Sequence, residues 1–200
     1  RMQRRADKDA WSKQTVRIVE AVKVPGEYAA TAVAAVAVGL LHRQRWRGAA
    51  LVAGAGAISG INSVLKWVAG RRRPIATLDS VDHDPTRFQP FVGGLDGLLG
   101  SEKNLCFPSG HACLAFATAT ALAMLLPRWR WAFYAVANAV AAERVWENAH
   151  YPSDTVAGAA LGVLAALAAR ALLNRWWPAR EGASGGLDVV PVGEPAPVRK

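Results

Sequence analysis

Three short stretches hold the residues whose types and spacing could do chemistry. They are Lys66, Arg73 and Pro74 in KWVAGRRRP, Pro108 to His111 in PSGH, and Arg144, His150 and Asp154 in RVWENAHYPSD. Among the named residues are three cations (Lys66, Arg73 and Arg144), two imidazoles, one carboxylate and a turn of small residues. Phosphoryl transfer asks for positive charge and hydrogen-bond donors around three equatorial oxygens, a nucleophile in line and a proton for the leaving oxygen. The three stretches contain each of these, so no metal ion and no cofactor is expected.

Lys66 and Arg73 are seven residues apart. That is close to two helical turns, so both can point the same way, with Pro74 stopping the helix. Arg71 and Arg72 read as anchors that snorkel at a span end. Ser109 is a natural N-cap, Gly110 lets the backbone approach a ligand, and the free N–H groups beyond them favour an anion. His111 falls in the first turn, placed to protonate a leaving oxygen. His150 sits at the mouth of the last helix with Asp154 just inside. A carboxylate there can hold one imidazole nitrogen and leave the other as nucleophile. Arg144 ends the preceding segment and can clamp a phosphate bidentately.

The elements that must position these groups are apolar. Hydrophobic residues form 52 % of the 200-residue chain, yet mean hydropathy is only +0.12, because apolar runs alternate with arginine-dense connectors. The net charge of +9 recurs beside tryptophan at the ends of those runs. This is the membrane-interface pattern and not the clustered patch of a nucleic-acid binder. No nucleic-acid partner is expected. Five apolar segments stand out: Tyr28–Leu41, Gly48–Val68, Ala112–Leu126, Trp129–Ala142 and Thr155–Leu173. The fold expected is all-α, a multi-pass membrane bundle of about five transmembrane helices preceded by an amphipathic N-terminal helix. In that helix Trp11, Thr15, Ile18, Val19 and Val22 share one face, opposite Lys13, Arg17 and Glu20. Residues 1–26 form this helix, 27–178 the membrane domain, and 179–200, rich in Gly, Pro and Val, a disordered tail. The spacings Gly56/Gly60 and Gly158/Gly162 suit close helix approach, but arise easily in an alanine-rich chain. Cys106 and Cys113 read as small buried hydrophobes, not as a disulfide. No cleavable signal peptide is expected, since no apolar core directly follows the basic start. The basic connectors lie on one side and the acidic segment Ile75–Phe107 on the other. The positive-inside bias therefore turns the three stretches outward. With five spans, the basic N-terminus then lies outside against that same bias, unless the first helix enters the bundle.

The pattern K-x6-RP, PSGH, R-x5-H-x3-D resembles the type-2 phosphatidic acid phosphatase superfamily, which also includes the vanadium haloperoxidases and the glucose-6-phosphatases. The similarity runs from about Gly48 to Gly162. It implies that His150 is the nucleophile, forming a phosphohistidine, with Asp154 as its partner. It implies that His111 acts as acid and then as base for water, and that Lys66, Arg73, Ser109, Gly110 and Arg144 bind the phosphate. Two departures stand out. Glu143 occupies the position before Arg144 where the family usually has serine; its carboxylate could weaken the clamp or turn away to another base. The family core usually has six membrane helices, against five plus an amphipathic one here.

The function expected is hydrolysis of a phosphomonoester or diphosphate of a membrane lipid at the outer face of the cell membrane. A polyprenyl phosphate or diphosphate, phosphatidic acid and phosphatidylglycerol phosphate are the candidates. The partners implied are that lipid phosphate and the bilayer; oligomeric state is not encoded in any pattern found. A phosphotransferase using the same histidine with another alcohol as acceptor would show the same stretches. A haloperoxidase fits less well, because those enzymes resemble soluble helical proteins. A non-catalytic lipid-binding protein has only Glu143 in its favour.

Overall fold

A computed structural model describes residues 13–42, 45–74, 87–91 and 105–177. The expected tail at 179–200, Trp11 and most of the acidic segment lie outside these residues. Within them, every apolar segment is helical. The helices are α1 (Lys13–Lys23), α2 (Tyr28–Leu41), α3 (Arg45–Ser59), α4 (Asn62–Ala69), α5 (Gly110–Leu125), α6 (Arg130–Trp146) and α7 (Pro152–Trp176). Two of the resulting rods are 25 residues each and apolar enough to cross a bilayer: Arg45–Ala69, which combines α3 and α4, and Pro152–Trp176. A third candidate is the pair Glu20–Gly26 and Tyr28–Leu41, bent by 62°. The bend falls at Pro25-Gly26, where proline and glycine interrupt the helical ladder.

α5 is the central helix, packed against α7, α6, α3 and α2. Its environment explains why a run so rich in alanine folds here. Small side chains let backbones approach, and dispersion contacts then hold the bundle where no hydrophobic driving force separates helix from lipid. The tightest approach is to α7. A Cβ added at Gly158 would lie 2.4 Å from the Ser109 carbonyl oxygen, and one at Gly162 would lie 2.2 Å from that of Cys113. The Gly158/Gly162 spacing is therefore the packing device of this crossing. We expect Gly162→Ala to lower stability by about 1–3 kcal/mol, the usual penalty of overpacking. Thermal unfolding in detergent reads it, and an unchanged Tm would contradict the close crossing. Deeper in the bundle Leu51, Val52, Ala55, Ala117, Ala121 and Ala166 form the core, and Thr31 and Thr118 share a buried 2.8 Å hydrogen bond between α2 and α5.

The outward surfaces are apolar: Val33, Val36, Leu40, Val136, Val156, Leu164 and Leu167 are exposed. Trp46, Trp129, Trp131 and Trp176 are exposed at one end of the bundle. Apolar flanks with an aromatic end belt describe a membrane protein.

Two local features depart from the sequence reading. The run Gly48–Val68 is interrupted at Gly60-Ile61, where Gly60 N–H bonds the Ala57 carbonyl and Ile61 N–H that of Ile58. Such i→i+3 bonds tighten a helix end, and an uninterrupted apolar run gives no sign of them. α4 also ends before Pro74. Gly70 adopts φ 62°, with its N–H on the Lys66 carbonyl at 2.8 Å, the left-handed cap that glycine supplies most easily. Lys66 and Arg73 thus do not share a helix face. Arg73 lies in extended chain, next to Arg72, which bridges to Leu105.

Candidate active site

All eight residues expected at the site lie at the bundle end opposite the tryptophan belt. Four elements deliver them: the end of α4, the turn into α5, the end of α6 and the start of α7. Ser109 is fully buried and caps α5, its Oγ accepting from Ala112 N–H at 3.5 Å. Its own N–H donates to the Asp154 carbonyl at 2.9 Å, tying the α5 turn to α7. Gly110 faces Lys66: a Cβ there would lie 3.7 Å from Lys66 Nζ and 3.2 Å from Asn62 Nδ2. Lys66 is itself buried. Arg73 is half-buried and donates from Nε to the Leu105 carbonyl at 3.2 Å. The ionisable groups near enough to act on His111 are Arg144, His150, Lys66 and Arg73. Those acting on His150 include Arg73, Asp154 and Lys66. Two imidazoles and three cations therefore share one neighbourhood.

His150 is buried just before α7. Its Nδ1 lies 2.8 Å from the Cys106 carbonyl oxygen. A carbonyl only accepts, so Nδ1 carries the proton and Nε2 carries the lone pair. Nε2 takes no hydrogen bond among the described residues. The expected partner, Asp154, stands on the same side of the ring as the carbonyl. Asp154 Oδ2 is 3.7 Å from Nδ1, beyond hydrogen-bond range, and acts on the ring through charge. Burial pushes the His150 pKa below its ordinary value, against the charge of Asp154, so the ring is neutral near pH 7. The Cys106 thiol is pushed well up by burial, which removes it as a competing nucleophile.

Asp154 is fully buried. Its Oδ2 accepts from the Tyr151 N–H at 2.9 Å, and its Oδ1 from Arg71 Nη1 at 2.5 Å. Arg71 also donates to Ser153 Oγ at 2.8 Å, and its guanidinium lies 4.2 Å from the Tyr151 ring centroid. The reading of Arg71 as a snorkelling anchor is thus overturned: it is buried, while Arg72 is exposed. Extended chain after Gly70 puts alternate residues on opposite sides, which sends Arg71 inward and Arg72 outward. Gly70 followed by three arginines was the available signal.

At Arg144 the Glu143 carboxylate takes the first of the two courses open to it, folding onto the guanidinium and not away to another base. Arg144 Nε and Nη2 pair with Glu143 Oε2 and Oε1, each at 2.5 Å, and Nη2 reaches Glu147 Oε2 at 3.3 Å. The fork expected to clamp a phosphate is engaged by Glu143. The N-terminal segment, too, closes on the site. A Cβ at Gly26 would lie 2.9 Å from the His111 carbonyl oxygen. A cavity of about 330 Å³ beside that turn is lined by Glu27, Ser59, Asn62, Lys66 and His111 among others. Asn62 donates to the Pro108 carbonyl at 3.4 Å, and its buried Oδ1 has no partner among the described residues. Neither Asn62 nor Glu27 carried any sequence signal.

A helical bundle with an apolar outer surface, and with two imidazoles, three cations and a helix N-terminus gathered at one end, is an integral-membrane protein with the chemistry to meet an anion there. A family model described as PAP2 superfamily matches residues 47–178, well over half of the chain. The chain belongs to the PAP2 superfamily. Among curated proteins it is similar to the bacitracin transport permease protein BcrC of Bacillus licheniformis, 36 % identical over 84 residues, which is 41 % of each chain. It is also similar to the lipid A 1-phosphatase of Rhizobium johnstonii, 40 % identical over 101 residues, covering 50 % of this chain and 37 % of that one. The matches thus span about two fifths of the relatives' length. Among solved structures it resembles the transmembrane PAP2-type phosphatidylglycerolphosphate phosphatase of Bacillus subtilis. The TM-score is 0.54 at 20 % identity, covering 86 % of this chain and 83 % of that one, a likeness of fold.

Proposed function

We propose that this protein is an integral-membrane lipid phosphate phosphatase that works through a phosphohistidine at His150. The observation that carries the reading is the 2.8 Å contact of His150 Nδ1 with the Cys106 carbonyl, which calls for a proton on Nδ1 and leaves Nε2 its lone pair in a neighbourhood of cations. In the first step Nε2 attacks phosphorus, the P–O bond to the lipid breaks, and the leaving oxygen takes a proton from His111. The imidazolium that forms keeps its Nδ1–H on the carbonyl, and the Asp154 carboxylate stabilises its charge. In the second step His111 takes a proton from water, the hydroxide adds to phosphorus, and the P–N bond breaks to return His150. Lys66, Arg73, the Ser109–Gly110 turn and Arg144 hold the equatorial oxygens.

The substrate class follows from the site's position at the end of a lipid-facing bundle, and from relatives named for lipid A and phosphatidylglycerol phosphate. A polyprenyl phosphate or diphosphate, phosphatidic acid or phosphatidylglycerol phosphate has the required anion on a tail that stays in the bilayer. We place five crossings at α2, α3–α4, α5, α6 and α7, with the basic ends of α2, α3, α5, α6 and α7 inside and the site on the extracytoplasmic face of the cell membrane. α1 is then an interfacial helix. Its 62° turn from α2 and the exposure of Ile18 suit a helix lying along the headgroups.

The test is phosphate release by the purified protein in detergent from a panel of those lipids. Release should survive chelators and stop with orthovanadate, which mimics five-coordinate phosphorus. A strict requirement for Mg²⁺ would reject the mechanism.

A further inference from the structure

Glu143 and Arg144 are adjacent on the last turn of α6, and both are buried. Adjacent helical residues do not normally face each other, yet the Glu143 carboxylate wraps onto the Arg144 guanidinium through two hydrogen bonds. A guanidinium has five N–H groups: one on Nε and two on each Nη. Glu143 takes the Nε hydrogen and one on Nη2, and Glu147 faces the other on Nη2. Only Nη1 is left to a phosphate, one nitrogen in place of a planar fork. The backbone of Arg144 is tied to the nucleophile's own, because its carbonyl accepts from the N–H groups of Ala149 and His150 at 3.2 and 3.3 Å.

We propose that Glu143 is a built-in competitor of phosphate for Arg144, a residue that loosens the site's hold on phosphate and so speeds release of the inorganic product. The inference rests on the phosphatase reading above. A serine hydroxyl carries no charge, so it would leave the guanidinium its full charge whatever hydrogen bonds it accepted. Glu143 instead offsets that charge and repels an incoming dianion. The repulsion acts alike on lipid phosphate, on the transition state and on inorganic phosphate, so it changes binding uniformly. Uniform binding appears in KM and in product inhibition, not in kcat.

The experiment compares the wild type with Glu143→Ser, Glu143→Gln and Glu143→Asp in detergent. For the Ser and Gln variants, KM and the inhibition constants of orthophosphate and orthovanadate should fall together by about tenfold, the scale of one charge-assisted hydrogen bond. kcat should stay within about twofold. The Gln variant keeps the shape and one acceptor oxygen, so it remains folded if packing alone is at stake. The Asp variant keeps the charge and should stay near wild type. Orthophosphate affinity is also measured without turnover, by calorimetric titration. Equal affinity in the wild type and the Gln variant overturns the proposal. Tighter phosphate binding by the Gln variant in a protein that hydrolyses no lipid phosphate would uphold the competition and reject the phosphatase reading instead.

Discussion

His150→Ala is expected to slow phosphate release from the lipid substrate by about 10⁴-fold or more, the scale seen when an enzyme loses its nucleophile. The geometry explains why no neighbour can take over. Cys106 offers its carbonyl to the ring, and its thiol is held protonated by burial. Ser109 Oγ is committed as the cap of α5. Asp154 is fully buried and bonded to Arg71 and Tyr151. Phosphate labelled with ³²P and quenched in alkali, where phosphohistidine survives, should mark the wild type and not the alanine variant. Label retained by His150→Ala would move the nucleophile elsewhere. The same ring sets the acid side of the pH profile. Burial lowers the His150 pKa below its ordinary 6.5, and only the neutral form attacks. Protonation of His150 should therefore cut kcat/KM only below pH 6.5, where it removes the nucleophile. A decline on acidification centred above that value would contradict a buried neutral nucleophile.

Much of this site was legible because its residues must sit at helix ends. Ser109 before an apolar run, Pro152 in a first turn and Asp154 at the third helical position are local signals, and each adopts the position its chemistry dictates. The helices were legible for the same reason. Tyr28–Leu41 begins and ends where its apolar run does. What the chain does not display is the outcome of choices among neighbours. Arg71, Arg72 and Arg73 are identical letters, and only the left-handed Gly70 decides which of them turns inward. The tether on His150 is a backbone carbonyl, and every residue has one, so no side-chain pattern points to Cys106. Glu143 carried a signal of its own, a charge beside a motif arginine, but its partner depended on whether the carboxylate folded back along α6. The Gly158/Gly162 spacing was visible yet uninformative among so many alanines. Only the 2.4 and 2.2 Å approaches of the α5 backbone give it meaning.

Arg71→Ala should produce the largest loss of stability among single changes outside the hydrophobic core, about 3–5 kcal/mol, the usual cost of leaving a buried charge without its partner. Asp154 has no exposed surface and Arg71 only a trace. Truncating Arg71 leaves a fully buried carboxylate without its counter-charge, although the Tyr151 N–H still donates to it. It also removes the guanidinium packed on the Tyr151 ring and 5.3 Å from that of Phe88. Arg72→Ala is the matched control: Arg72 is exposed, and surface changes of that kind stay within about 0.5 kcal/mol. Thermal unfolding in detergent should therefore separate two adjacent arginines that composition treats as equals. Pairing Arg71→Ala with Asp154→Asn distinguishes an ion pair from simple packing. The neutral amide keeps an acceptor for the Tyr151 N–H and needs no counter-charge, so the double variant should be more stable than Arg71→Ala alone. It should not recover activity, because the imidazolium formed on His150 then lacks its compensating carboxylate. Strictly additive losses would reduce Arg71 to a packing residue. Recovered stability without recovered turnover would make it the positioning residue that lets a buried Asp154 remain charged beside His150.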